Sequence, residues 1–106
     1  MPETIITILG CGSSGGVPLI TGDWGKCNPD NSKNRRTRSS LLIQTENQNI
    51  LIDTSPDIRE QLLRARIDRI DAVFYTHAHA DHINGLHELR QISLKYKTVI
   101  PVFGNE

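Results

Sequence analysis

Tyr75-Thr76-His77-Ala78-His79-Ala80-Asp81-His82 places three imidazoles and a carboxylate within six consecutive positions. It follows directly on Asp71-Ala72-Val73-Phe74-Tyr75, an apolar stretch that reads as a strand. Neutral imidazoles and carboxylates are the usual protein ligands of borderline divalent ions such as zinc. A lone surface histidine needs no explanation; four such groups at one strand end call for a metal. In an extended segment, side chains two apart point to the same side. His77, His79 and Asp81 can therefore face one point, with His82 opposite them or at the start of a following helix. That pattern suits two adjacent ions, His77 and His79 on one, Asp81 and His82 on the other. It differs from the helical His-Glu-x-x-His arrangement, whose ligands lie one turn apart.

The segments around this run read as alternating strands and helices. Thr4 to Leu9 is a β-branched strand, and Gly10 to Gly16 a glycine-rich turn. A polar loop runs from Ile20 to Arg38. Ser40 to Thr45 and Asn49 to Asp53 form a hairpin through Glu46-Asn47-Gln48. Pro56 to Arg66 reads as a helix capped by Thr54 or Ser55, with Ile58, Leu62 and Leu63 on its apolar stripe. After the histidines, Asn84 to Tyr96 reads as a second helix with Leu86, Leu89, Ile92 and Ser93 on one side, and Thr98 to Phe103 as a last strand. The runs Leu41-Leu42-Ile43, Ile50-Leu51-Ile52 and Val73-Phe74-Tyr75 do not alternate, which predicts strands buried on both faces. Two helices can cover only one of those faces.

The 106 residues make one small domain, or part of a larger one. Twelve basic and twelve acidic side chains leave a net charge of zero, so no long-range field draws the chain to nucleic acid or an anionic membrane. No window approaches the roughly 20 apolar residues of a membrane span, and Met1-Pro2-Glu3-Thr4 does not begin a signal peptide. Cys11 and Cys27 make no disulfide framework, so a cytoplasmic location is expected. Cys11 is expected to be a small buried residue near the first turn. Trp24 reads as a packing anchor for its loop, and His87 as a residue on a solvated helix face.

His77-Ala78-His79-Ala80-Asp81-His82 resembles the His-x-His-x-Asp-His signature of the metallo-β-lactamase superfamily, and Ile83-Asn84-Gly85-Leu86 its Gly-Leu continuation. Leu9-Gly10-Cys11-Gly12-Ser13-Ser14-Gly15-Gly16-Val17-Pro18 and Asn34-Arg35-Arg36-Thr37-Arg38-Ser39-Ser40 are similar to the phosphodiesterase branch. That branch holds phosphoribosyl cyclic phosphodiesterase and the tRNA 3′-processing endonucleases. The resemblance implies an α/β fold, the N-terminal half of an αββα sandwich, with one mixed sheet and helices on one face. Residues 1–106 would form a single partial domain of that kind.

The resemblance further implies a metal-dependent hydrolase, a phosphodiesterase using a metal-activated hydroxide, with zinc or manganese as the metal. His77, His79, Asp81 and His82 would be the ligands, with Asp81 also handling protons. Asp53 would orient a ligand imidazole; its other reading is a turn or helix-capping residue. Arg35, Arg36 and Arg38 could contact substrate phosphates, of a small phosphodiester or an RNA end, or be a solvated basic loop. A complete member carries two metals and adds a further His, a bridging Asp and a last His. The only other histidine is His87, and after Tyr96 the only plausible ligand is the terminal Glu106, so less than a full pair of metals is expected. A partner is expected as well, a second copy or a separate C-terminal half. Two other readings stay open: a non-catalytic fragment of a split or decayed hydrolase gene, and a thioester or lactone hydrolase, against which the Gly-Gly-Val-Pro segment counts.

Overall fold

The computed structural model describes residues 3–105, so Glu106 lies outside the described residues. Five strands form one sheet in the order of the chain: β1 (Ile5–Gly10), β2 (Ser40–Gln44), β3 (Asn49–Ile52), β4 (Ala72–Phe74) and β5 (Val102–Phe103). β1, β2 and β3 pair antiparallel; β3, β4 and β5 pair parallel. The parallel steps need crossovers. Helix α1 (Ile58–Ala65) supplies the first; α2 (Ala80–Ile83), a 3-10 turn (Leu86–Leu89) and α3 (Arg90–Tyr96) supply the second.

The register puts Thr7, Leu42, Leu51, Val73 and Val102 on one row across the sheet. Leu42, Leu51 and Val73 from that row are buried with Leu9, with Ile58 and Leu62 of α1, and with Leu89 of the second crossover. Both crossovers therefore cover the same face. Removing each such side chain from water contributes about 1.5–3 kcal/mol.

The neighbouring rows point the other way. Ile8 pairs with Leu41, Leu41 with Ile52, Ile52 with Phe74 and Phe74 with Phe103. This second face is apolar and largely open: Ile6 is 62 %, Ile8 68 % and Phe103 48 % exposed. Phe74 and Phe103 stack there, ring centroids 4.7 Å apart. The continuous apolar runs thus face helices on one side only.

Local details depart from the sequence reading. Helix α1 starts at Ile58 with Asp57 in the capping position, not at Pro56 with Thr54 or Ser55 as cap. Asp57 makes no side-chain cap because Arg38 takes its carboxylate, while the Ser55 hydroxyl accepts from the Asp57 amide. The single helix expected over 84–96 is replaced by a short helix inside the histidine run, a 3-10 turn and α3. Gly85 interrupts it, because its amide donates to the Thr54 carbonyl and a Cβ there would lie 1.9 Å from the Ser55 carbonyl oxygen. Cys11 is exposed rather than buried.

Gly10 closes β1 where the chain runs against Arg38 and Gln61; a Cβ there would lie 2.2 Å from the Arg38 carbonyl oxygen. The buried Gln61 amide accepts from Ser55 Oγ and donates to Thr37 Oγ1 and the Arg38 carbonyl. It ties α1 to the segment that carries the arginines. No helix among the described residues is long and apolar enough to cross a membrane.

Candidate metal centre

The site is built where β3 and β4 end side by side. Asp53 follows β3 in the left-handed region, φ 64°, and its amide donates to the Phe74 carbonyl at 2.9 Å. That turn directs the carboxylate across the end of β4. Its Oδ1 accepts from the Thr76 amide at 2.8 Å, and its Oδ2 from Thr76 Oγ1 at 2.7 Å. The same Oδ2 lies 2.6 Å from His82 Nδ1.

Helix α2 brings His82 there. The Thr54 amide donates to the His82 carbonyl at 2.8 Å, and the Gly85 amide returns a bond to the Thr54 carbonyl at 3.0 Å. Thr54 Oγ1 adds bonds to Tyr75 Oη and the Ile83 carbonyl. The helix is thereby docked on the residues after β3. Of its two expected places His82 takes the second, inside a helix, and it turns back over its neighbours. The His77 ring lies 4.1 Å from that of His82 and 4.5 Å from that of His79, centroid to centroid. Asp81 Oδ2 lies 3.2 Å from His82 Nε2.

The donor chemistry fits a divalent ion. The Asp53 carboxylate holds His82 Nδ1, which leaves Nε2 directed at Asp81 Oδ2. In the tautomer with its proton on Nδ1, that ring nitrogen and the carboxylate oxygen both offer lone pairs, and a cation between them would satisfy both. Adjacent ligands on a tetrahedral zinc lie about 3.3 Å apart, given bonds of about 2.0–2.1 Å. On His77, Nδ1 is engaged by Thr76 Oγ1 at 2.9 Å, which leaves Nε2 for a ligand. His77 and His79 are exposed, and Asp81 and His82 half-buried. No three His, Cys, Asp or Glu side chains among the described residues yet converge on one point at metal-ligand spacing. The four donors are gathered in neighbouring pairs. His87 is exposed in the 3-10 turn.

Burial pushes the Asp53 carboxyl up, but hydrogen bonds from the Thr76 amide, His82 and the Thr76 hydroxyl outweigh it and hold the group below the usual carboxylate range. Asp57 is also held low, first by its hydrogen bond from Arg38. Arg38 grips Asp57 through Nε and Nη2 at 2.8 Å each, and its own amide donates to the same carboxylate. That bond raises the Arg38 pKa further, with a smaller contribution from the charge of Asp81. Arg35 and Arg36 are exposed. With Arg38 and Asp57 they border a cavity of about 420 Å³ shared with the Gly15–Gly16 turn.

Sequence reasoning gave no role in the site to Thr76, Thr54, Tyr75 or Asp57. Thr76 and Tyr75 sit inside the quoted run, so their position was a usable signal. The others act through contacts between distant segments.

The sequence profile of the metallo-β-lactamase superfamily matches residues 34–100. Over 86 residues the chain is 49% identical to an octanoyltransferase of Porphyromonas gingivalis, an alignment covering 80% of this chain and 18% of that protein. Its fold is similar to the crystal structure of a diphosphatase from the PhnP family, with TM-score 0.88, 42% identity, and 98% of this chain against 42% of that one. The short form of human tRNase Z gives TM-score 0.65 at 28% identity, covering 96% of this chain and 34% of that one. Zn(2+)-bound PqqB from Methylobacterium extorquens gives TM-score 0.70 at 22% identity, covering all of this chain and 50% of that one, a likeness of fold. The chain spans at most half the length of each of these proteins. The mixed sheet with helices on one face is thus the architecture expected from the sequence.

Proposed function

The chain belongs to the metallo-β-lactamase superfamily, and from that premise we propose that it carries the His-x-His-x-Asp-His part of the metal site of a phosphodiester hydrolase. The observation that carries this reading is the continuous chain Thr76–Asp53–His82–Asp81, which orients two donor groups of the signature from behind. Phosphorus as the centre attacked is supported by the 42% identity to a diphosphatase.

In this reading His77 and His79 hold one ion and Asp81 and His82 a second, zinc or manganese. A bound divalent ion supplies an activated water and polarises the oxygen under attack. The protein's own residues do the rest. Asp53 fixes the His82 tautomer with the proton on Nδ1, so that Nε2 faces the site. Its low pKa keeps it ionised, as that role requires. Thr76 holds both Asp53 and the His77 ring, so one residue sets the angle between two ligands. Asp81 would take up a proton when such a water is activated. Arg35 and Arg36 meet the phosphate oxygens of a small phosphodiester or an RNA end. Arg38 braces Asp57 instead, since its fork is already filled.

The open sheet face seats a partner layer, from a second copy of the chain or from a C-terminal half bringing the remaining ligands. Cys11 and Cys27 are free and exposed, which suits the cytoplasm as the protein's location.

The test is hydrolysis of bis-p-nitrophenyl phosphate by the full protein with added manganese or zinc. Turnover that disappears in His79→Ala and Asp81→Asn supports the reading. Turnover unchanged in His79→Ala, or faster cleavage of p-nitrophenyl acetate than of the diester, sinks it.

A further inference from the structure

A second cavity, of about 510 Å³, opens beside the end of β1, bordered by Ser32, Arg35, Arg36, Thr37 and Arg64. Its charge differs from that of the first cavity. There, Asp57 neutralises Arg38. Here Arg35, Arg36 and Arg64 line the wall and no carboxylate does. None of the three forms an ion pair among the described residues. Three cations on one wall favour an anion there.

The framework of this cluster is fixed. The Arg36 backbone exchanges two bonds with Val17, each 2.9 Å. The Arg35 amide donates to the Ser32 carbonyl at 3.1 Å. Arg64 Nη2 donates to the Leu9 carbonyl at 2.9 Å, which sets its side chain against β1 while leaving its other N–H groups unused. The Arg64 guanidinium is thus held in advance, and a donor held in advance loses less entropy on binding. Guanidinium forks match the oxygens of phosphate in pairs.

We propose that this cavity is an anion site for a phosphate ester of nucleotide size, separate from the metal centre. The volume falls in the range of small-ligand pockets, about 300–1,000 Å³. A chain of zero net charge has no general attraction for a long polyanion, so the basic character is local and so is its ligand. None of the histidines borders it; it shares Arg35 and Arg36 with the substrate contacts proposed above, whereas Ser32 and Arg64 belong to it and not to the cavity beside Asp57.

The experiment is calorimetric titration of the full protein, stripped of metal by chelator and at low salt, with pyrophosphate and with adenosine diphosphate. Both should bind. Arg64→Gln and Ser32→Asp change this cavity and not the one beside Asp57. Each should weaken binding about tenfold or more, the scale of one charged hydrogen bond. Ser32 is exposed and its side chain makes no hydrogen bond among the described residues, so its variant tests the site even if Arg64→Gln disturbs α1. His79→Ala should bind both probes as the parent does. Affinity unchanged in Ser32→Asp, or lost in His79→Ala, would overturn the proposal. A single-stranded oligonucleotide that binds more tightly than adenosine diphosphate would overturn the size assignment. Hydrolysis of bis-p-nitrophenyl phosphate, measured alongside, reports on the metal centre independently.

Discussion

Asp53 Oδ2 and His82 Nδ1 lie 2.6 Å apart although 29 positions separate the residues in the chain. The bond from the Thr54 amide to the His82 carbonyl ties helix α2 to the end of β3 and supports that distance. Asp53→Ala removes the acceptor that holds the His82 ring and the two bonds from Thr76. Zinc affinity, measured by competition with a chromophoric chelator, should fall about 10–100-fold. A variant that binds zinc as tightly as the parent would show that His82 needs no support.

His79 is the contrasting case. It is exposed, and its ring makes no side-chain hydrogen bond among the described residues. His79→Ala should therefore leave stability within about 0.5 kcal/mol of the parent when metal is absent. Metal uptake, counted by plasma emission spectrometry, should fall. Thermal melts with and without chelator separate the two effects: the parent should gain stability from added zinc, and the variant should gain little.

The pairing of Arg38 with Asp57 sets a pH dependence. The folded-state pKa of Asp57 lies below its unfolded value, with the Arg38 hydrogen bond as the leading cause. The pair's contribution is thus fully present above the unfolded carboxylate value, about 3.9. It is lost as pH falls through the lower folded value. Asp57→Asn should cost about 1–2 kcal/mol at neutral pH. The gap between variant and parent should close below about pH 4, as followed by urea unfolding across pH.

Gly85 allows α2 to sit against the chain after β3. A methyl group there meets the Ser55 carbonyl oxygen and the Ile58 side chain. The backbone cannot yield without breaking the Gly85–Thr54 and Thr54–His82 bonds. Gly85→Ala should cost about 3 kcal/mol or more, at the upper end of overpacking effects. Zinc affinity should fall with it. Urea unfolding and chelator competition on the same sample would reveal any separation between them.

What could be read from the sequence divides by range. The hairpin of β2 and β3, helix α1 and the histidine run are local patterns, and their apolar or ligand residues stand close together in the chain. The open sheet face was legible too, because Leu41-Leu42-Ile43 and Ile50-Leu51-Ile52 do not alternate. The break at Gly85 was not legible, since periodicity carries no information about the Ser55 carbonyl that displaces the helix. The start of α1 was missed for a similar reason: Arg38, 19 positions away, takes the carboxylate of Asp57. The contacts of Asp53 with Thr76 and His82 were not legible, because they arise from two different segments.

Asp53 sits at φ 64°, a left-handed conformation that glycine adopts freely and that asparagine and aspartate tolerate better than other side chains. The backbone there thus leaves a choice of three residues. Of these only aspartate offers acceptor oxygens to Thr76 and to His82 Nδ1 at once, because a carboxylate carries no donor. A library selected for folding alone should therefore accept any of the three at position 53, whereas one selected for zinc binding should return aspartate.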